Sequence, residues 1–179
     1  MTDNGIEYRA QLPIAWRDLA DTLPAQISEL MRENVLTLQA LAALEATHSS
    51  SGVDREADRT PAMDHQSIRV EAKVDLLLHW VATLLLERHP LPPASEVILG
   101  AQQISWRCPV ALATNTEGIV SLFLTPHLPA PLKLPVRISH YDQGIARATF
   151  IRMSEEAQEW LERTLFRYHR RALQARAQH

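Results

Sequence analysis

The chain has 179 residues, 46% of them apolar and 22% charged, with a formal net charge of −3. That length fits one ordinary domain with room for an added association segment, and the slight acidity excludes nucleic-acid binding through an overall positive field. A single cysteine, Cys108, excludes an internal disulfide and a thiolate metal cage within one chain.

The opening residues, Met-Thr-Asp-Asn-Gly-Ile-Glu, lack the basic-then-apolar order of a signal peptide, so the expected compartment is the cytoplasm. Tyr8–Trp16 reads as a short strand, which Pro13 would confine to a sheet edge. A helix starting at Asp21 or Thr22, with Pro24 in its first turn, is expected over about 22–46. A polar loop fills 47–63, and a second helix spans about 64–88, ending before His89-Pro90 because the residue preceding proline resists the α conformation. Prolines 90, 92 and 93 make a stiff exit. Strands are expected at Ser95–Leu99, Gln103–Cys108, Gly118–Leu124, Leu132–His140 and Ile145–Met153. The chain thus divides into an N-terminal segment (1–20), a helical region (21–90) and a β-rich region (91–179).

The last third is the most legible. Leu132, Leu134, Val136 and Ile138 alternate with Lys133, Pro135, Arg137 and Ser139, the period of a half-buried antiparallel strand. Asp142-Gln143-Gly144 reverses the chain, Gly144 supplying positive φ, and the partner strand follows. Ser154 caps a closing helix that carries Glu155 and Glu156 in its first turn, where the dipole favours anions. Trp160, Leu161, Leu165 and Tyr168 form that helix's core face. A hairpin running into an amphipathic helix is the end of a small barrel.

The second helix carries more apolar surface than one seam requires. Val70, Val74, Leu77, Val81 and Leu84 recur at spacings of four, three, four and three, a heptad seam. Leu76, Leu78, Trp80, Leu85 and Leu86 lie off it, so the helix must be covered on several sides. A membrane span is excluded: Glu71, Lys73 and Asp75 leave a charge-free run of about eleven residues, short of the ~20 a span needs. The first helix offers Ile27, Leu30, Met31, Val35, Leu38, Leu41 and Leu44 as a partner face. From the pattern alone, an intramolecular hairpin laid on the β region and a homo-oligomer are both open.

Several landmarks occur in order: Lys73-Val74-Asp75-Leu76-Leu77-Leu78, Leu91-Pro92-Pro93-Ala94, Leu99 with Ile104-Ser105-Trp106, Leu124–Leu134, and Glu159-Trp160-Leu161-Glu162-Arg163 with Phe166-Arg167 and His169-Arg170-Arg171. In this order the chain resembles the PilZ family of cyclic di-GMP receptors, and most closely its atypical, tetramer-forming branch. The resemblance implies an α+β protein: a five- or six-stranded antiparallel barrel closed by a C-terminal helix, with two long helices inserted before the barrel as an oligomerisation bundle. It implies a tetramer, with Val70, Val74, Leu77, Val81 and Leu84 at the interface. It further implies a bacterial signalling adaptor, not an enzyme, linked to motility or virulence and acting through a protein partner. The alternative it leaves is a cyclic di-GMP receptor with a non-standard site.

The family's usual nucleotide grip combines an Arg-x-x-x-Arg loop with an Asp/Asn-x-Ser-x-x-Gly turn, because guanidinium forks bind phosphate and stack on guanine. Alignment puts Ile98, Gly100 and Gln103 at the turn positions, and none matches. Arg55 and Arg59 reproduce the arginine spacing literally but lie in the polar loop, where a solvated segment of alternating charge is the plainer reading. No cofactor is therefore expected, and cyclic di-GMP is not expected through the usual motif. The weak ligand-binding candidates are Arg55, Arg59, Ser105, Arg107, Arg170 and Arg171. Arg170 and Arg171 lie on a basic terminal helix whose cations also offset its dipole. The eight histidines are scattered, none at metal-ligand spacing, and Asp75 with His79 reads as a structural i, i+4 pair. Five glycines form no phosphate-cradling loop or nucleophile elbow, and Cys108 has no activating neighbour, so no catalytic residue can be named.

Overall fold

The computed structural model describes residues 6–19, 24–50, 61–125, 128 and 130–177. The elements run β1 (Tyr8–Asp18), α1 (Pro24–Ser50), α2 (Pro61–Arg88), β2 (Ala94–Leu99), β3 (Gln103–Arg107), β4 (Glu117–Leu122), β5 (Leu132–Asp142), β6 (Ile145–Phe150) and α3 (Glu155–Ala177). Six antiparallel strands close into a barrel in the order β1-β2-β3-β6-β5-β4.

β1 is longer than the sequence suggests and has no free edge. It pairs with β2 from Tyr8↔Leu99 to Pro13↔Ala94, then with β4 from Ile14↔Leu122 to Asp18↔Gly118. Pro13 stands where the strand leaves one neighbour for the other, so its missing N–H falls at the handover. Its carbonyl still accepts the Phe123 N–H at 3.1 Å. Just beyond, Trp16 stacks on Trp106 with centroids 6.0 Å apart. Gly118 is required beneath it, since a Cβ there would collide with the Trp16 ring and stand 2.6 Å from the Arg17 carbonyl oxygen.

Alternation along the strands fills the barrel. Val97, Leu99, Ile104, Trp106, Val120, Leu122, Leu132, Leu134, Val136, Ile138, Ala146 and Ala148 are all buried. Leu161 and Leu165 of α3, with Leu38 of α1, join the same core. The β5–β6 turn is a two-residue loop with Gln143 (φ 47°) and Gly144 (φ 79°) both left-handed, the form whose twist matches a hairpin. β6 stops at Phe150, short of the expected Met153, and Arg152 takes a left-handed φ of 54° before α3. Ser154 then caps α3, its Oγ accepting the Ala157 N–H at 3.2 Å.

The apolar face of α1 does not serve α2. Ile27, Met31, Val35, Leu38 and Leu41 are buried, and α1 packs on α3 and β5. An apolar face shows that a helix needs cover, not which element supplies it. A buried Asn34 fixes the dock: its amide donates to the Lys133 carbonyl at 2.9 Å and its Oδ1 accepts the Lys133 N–H at 2.8 Å. Lys133 lies in the first part of β5, paired with β4 on one side but ahead of the β6 ladder on the other. Asn34 therefore does there what a neighbouring strand would do.

Candidate interaction surfaces

α2 makes no substantial packing contact with any other described element. Val70, Val74, Leu76, Leu77, Leu78, Trp80, Val81, Leu84 and Leu85 are each between 41% and 60% exposed. Nine large apolar side chains along four turns form far more contiguous apolar surface than a soluble monomer ordinarily leaves in water. Among the described residues no helix is long and apolar enough to cross a membrane. The Asp75 side chain lies outside the described residues, and His79 is exposed.

A second surface lies on the outside of the barrel. Ser105, half-buried, faces outward from β3, flanked in the register by Ile98 on β2 and Arg147 on β6; Arg147 is in turn opposite His140 on β5. Arg107 is diagonal to Arg147, since it pairs with Ile145. The structure thus brings Ser105 and Arg107 together and adds Arg147 and His140. The signal for these two was in the sequence: a two-residue turn at Gln143-Gly144 sets the register that places Arg147 beside β5. Arg55 and Arg59 lie outside the described residues.

The basic end of α3 is mostly tied to its own fold. Arg163 pairs with Glu159, while Arg167 Nε approaches Glu45 Oε2 and Arg171 Nη1 approaches Glu45 Oε1, both at 3.1 Å. The Arg167 approach is an ion pair and not an aligned hydrogen bond. Glu45, whose side chain is only 11% exposed, so joins the end of α1 to α3. Arg170 is exposed and carries no ion pair among the described residues. The Tyr168 hydroxyl donates to Glu45, and its ring lies 4.7 Å from that of Tyr8.

Burial, and then the Glu45 charge, push Tyr168 well above the ordinary tyrosine range, and the same causes in the same order raise Tyr8. The folded state therefore holds these phenolic protons more tightly than the unfolded chain. Their contribution is intact below the unfolded value of 10.0 and is lost as pH rises beyond it. Urea unfolding is expected to weaken above about pH 10 by up to ~1.4 kcal/mol per pH unit from Tyr168. Tyr168→Phe should flatten that limb; an alkaline limb identical in the variant would exclude Tyr168 as its source.

A closed six-stranded antiparallel barrel plugged by a C-terminal helix, with a two-helix insertion after its first strand, defines a small PilZ-type barrel. A family model described as the atypical PilZ domain, cyclic di-GMP receptor, matches residues 38–177, and the chain belongs to that family. The fold is shared with the crystal structure of a pathogenic protein from Xanthomonas campestris, described as a new tetrameric PilZ domain self-assembled via an unusual helical bundle. That similarity has a TM-score of 0.77 at 22% identity, over 97% of this chain and 93% of the other. A search of curated proteins finds no match.

Proposed function

We propose that this protein is a homo-oligomeric, non-enzymatic signalling adaptor, a tetramer whose α2 helices bundle through Val70, Val74, Leu77, Val81 and Leu84. The observation that carries this reading is the uncovered apolar surface of α2. A two-stranded coil covers one seam and leaves Leu76, Leu78, Trp80 and Leu85 in water, which favours a bundle of more than two helices. The self-assembly described for the Xanthomonas campestris protein supports the same arrangement. Within the helical region 21–90, α2 would then be the association segment, and residues 91–179 together with β1 and α1 the displayed barrel, with several barrels held in fixed array for a protein partner. We place it in the cytoplasm, in bacterial control of motility or virulence.

The turn that closes β2 on β3, with the Gly100 N–H on the Gln103 carbonyl at 2.9 Å, carries Ile98, Gly100 and Gln103 where the usual cyclic di-GMP motif needs Asp or Asn, Ser and Gly. The adaptor reading therefore excludes cyclic di-GMP by the standard mode. The second reading is a receptor with a non-standard site; the family description and the diagonal placement of Arg107 and Arg147 on adjacent strands favour it. Light scattering tests the first: four chain masses at micromolar concentration are expected, and a clean monomer overturns it.

A further inference from the structure

Each helix of the chain leaves the same part of the barrel uncovered. α1 packs on β5 and α3, α3 touches β1, and among the described residues no helix packs substantially on β2, β3 or β6. The outward side chains of β3 and β6 are Gln103, Ser105, Arg107, Ile145, Arg147 and Thr149. Of the other strand arginines, Arg9 pairs with Glu7 at 3.5 Å and Arg137 with Glu117 at 2.7 Å, while Arg17 stands exposed on β1 away from this face. Arg107 and Arg147, exposed and diagonal to one another, carry no ion pair among the described residues.

The backbone beneath both is held. Ser95 Oγ donates to the Arg107 carbonyl at 2.9 Å, and Ser139 Oγ donates to the Arg147 carbonyl at 3.1 Å. Two guanidinium groups thus rise from a fixed sheet with their donors unused. We propose that this face, centred on Arg107 and Arg147, docks a carboxylate-rich segment of a partner protein; the proposal rests on the display reading above and names the surface displayed.

The chemistry selects that partner class. A guanidinium fork meets a carboxylate with two parallel hydrogen bonds. Ser105 and Thr149 add hydroxyls, while Ile98 and Ile145 give a shallow apolar contact, the mix of a protein–protein rim. Glu96, next along β2 from the Val97↔Trp106 pair, and Asp142, opposite Ile145, flank the Arg107 row on either side, so an acidic segment is directed along Arg147 and Ser105 and away from them. No aromatic side chain stands on the outward face of β3 or β6 to stack bases, which single-stranded nucleic acid requires.

The test is fluorescence anisotropy of the full-length protein with a labelled peptide alternating glutamate and threonine, and a lysine–threonine peptide as control. Binding of the acidic peptide alone, weakening with salt, is expected, and Arg107→Glu with Arg147→Glu should lower affinity about tenfold or more. Arg107→Gln with Arg147→Gln gives the same readout should the reversal disturb folding. Equal binding by these variants, or an equal loss in Arg17→Glu, overturns the proposal. So does saturable binding of cyclic di-GMP or an oligoribonucleotide, abolished by the same reversal, with none of the acidic peptide. The oligomeric mass is read separately, so a monomer that still binds the peptide sinks the assembly reading and spares this one.

Discussion

Replacing Leu77 and Val81 together by glutamate is expected to convert the assembly into folded monomers. Both side chains are more than half exposed in the single chain, so in the proposed bundle whatever they contribute is gained between copies. Full burial of each is worth about 1.5–3 kcal/mol, repeated in every copy, and carboxylates at the same positions repel one another across the seam. The barrel should be untouched because α2 packs substantially on no other described element. Most helical stability in proteins comes from packing of an apolar face, so the separated chain should also lose part of its far-ultraviolet helix signal. Sedimentation velocity with circular dichroism reads both effects. Persistence of the wild-type mass would end the bundle reading, and loss of the barrel signal would mean that α2 supports the fold itself.

Asn34→Leu is expected to cost about 2–5 kcal/mol, large against the stability of an ordinary domain. Leucine removes two hydrogen bonds and covers the Lys133 N–H and carbonyl with apolar atoms, leaving both without a partner. Neighbouring Glu33→Gln is the control. Its carboxylate meets Lys133 Nζ at 2.7 Å but both side chains are more than a third exposed, so the loss should stay under about 1 kcal/mol. Urea denaturation at neutral pH separates the two variants. Equal midpoints would show that Asn34 does not seal the strand.

The difference between these residues also shows what can be read from the chain. Local chemistry was legible: the alternation of Leu132–Ile138, the glycine in the β5–β6 turn, the Ser154 cap and the surplus apolar surface of α2 follow from spacing and residue type. Partners distant in sequence were not. Asn34 in an amphipathic helix looks like a solvent residue until β5 arrives beside it. Glu45 gives no sign that Arg167 and Arg171 pair with it, so the arginines of α3 read as cations offsetting the helix dipole or as ligand candidates when two of them meet one carboxylate. Pro13 suggested an edge because a missing donor is usually tolerated there, and a strand that changes neighbours is not visible in its own residues. Of the proposed surface, Ser105 and Arg107 were named as candidates from one strand alone; Arg147 needed the register of the next.

The order of β1 in the chain has a consequence for how the molecule is made. β1 is synthesised first, yet β2 and β4 exist only after both inserted helices have left the ribosome. Closing so large a loop is slow, and until it closes β2 and β4 each present a row of unmatched amides to any neighbouring nascent chain. Helices that gather sibling chains would raise the local concentration of those half-finished sheets. Swapping of the first strand between siblings, before each chain recovers its own, is the hazard that this gene order builds in.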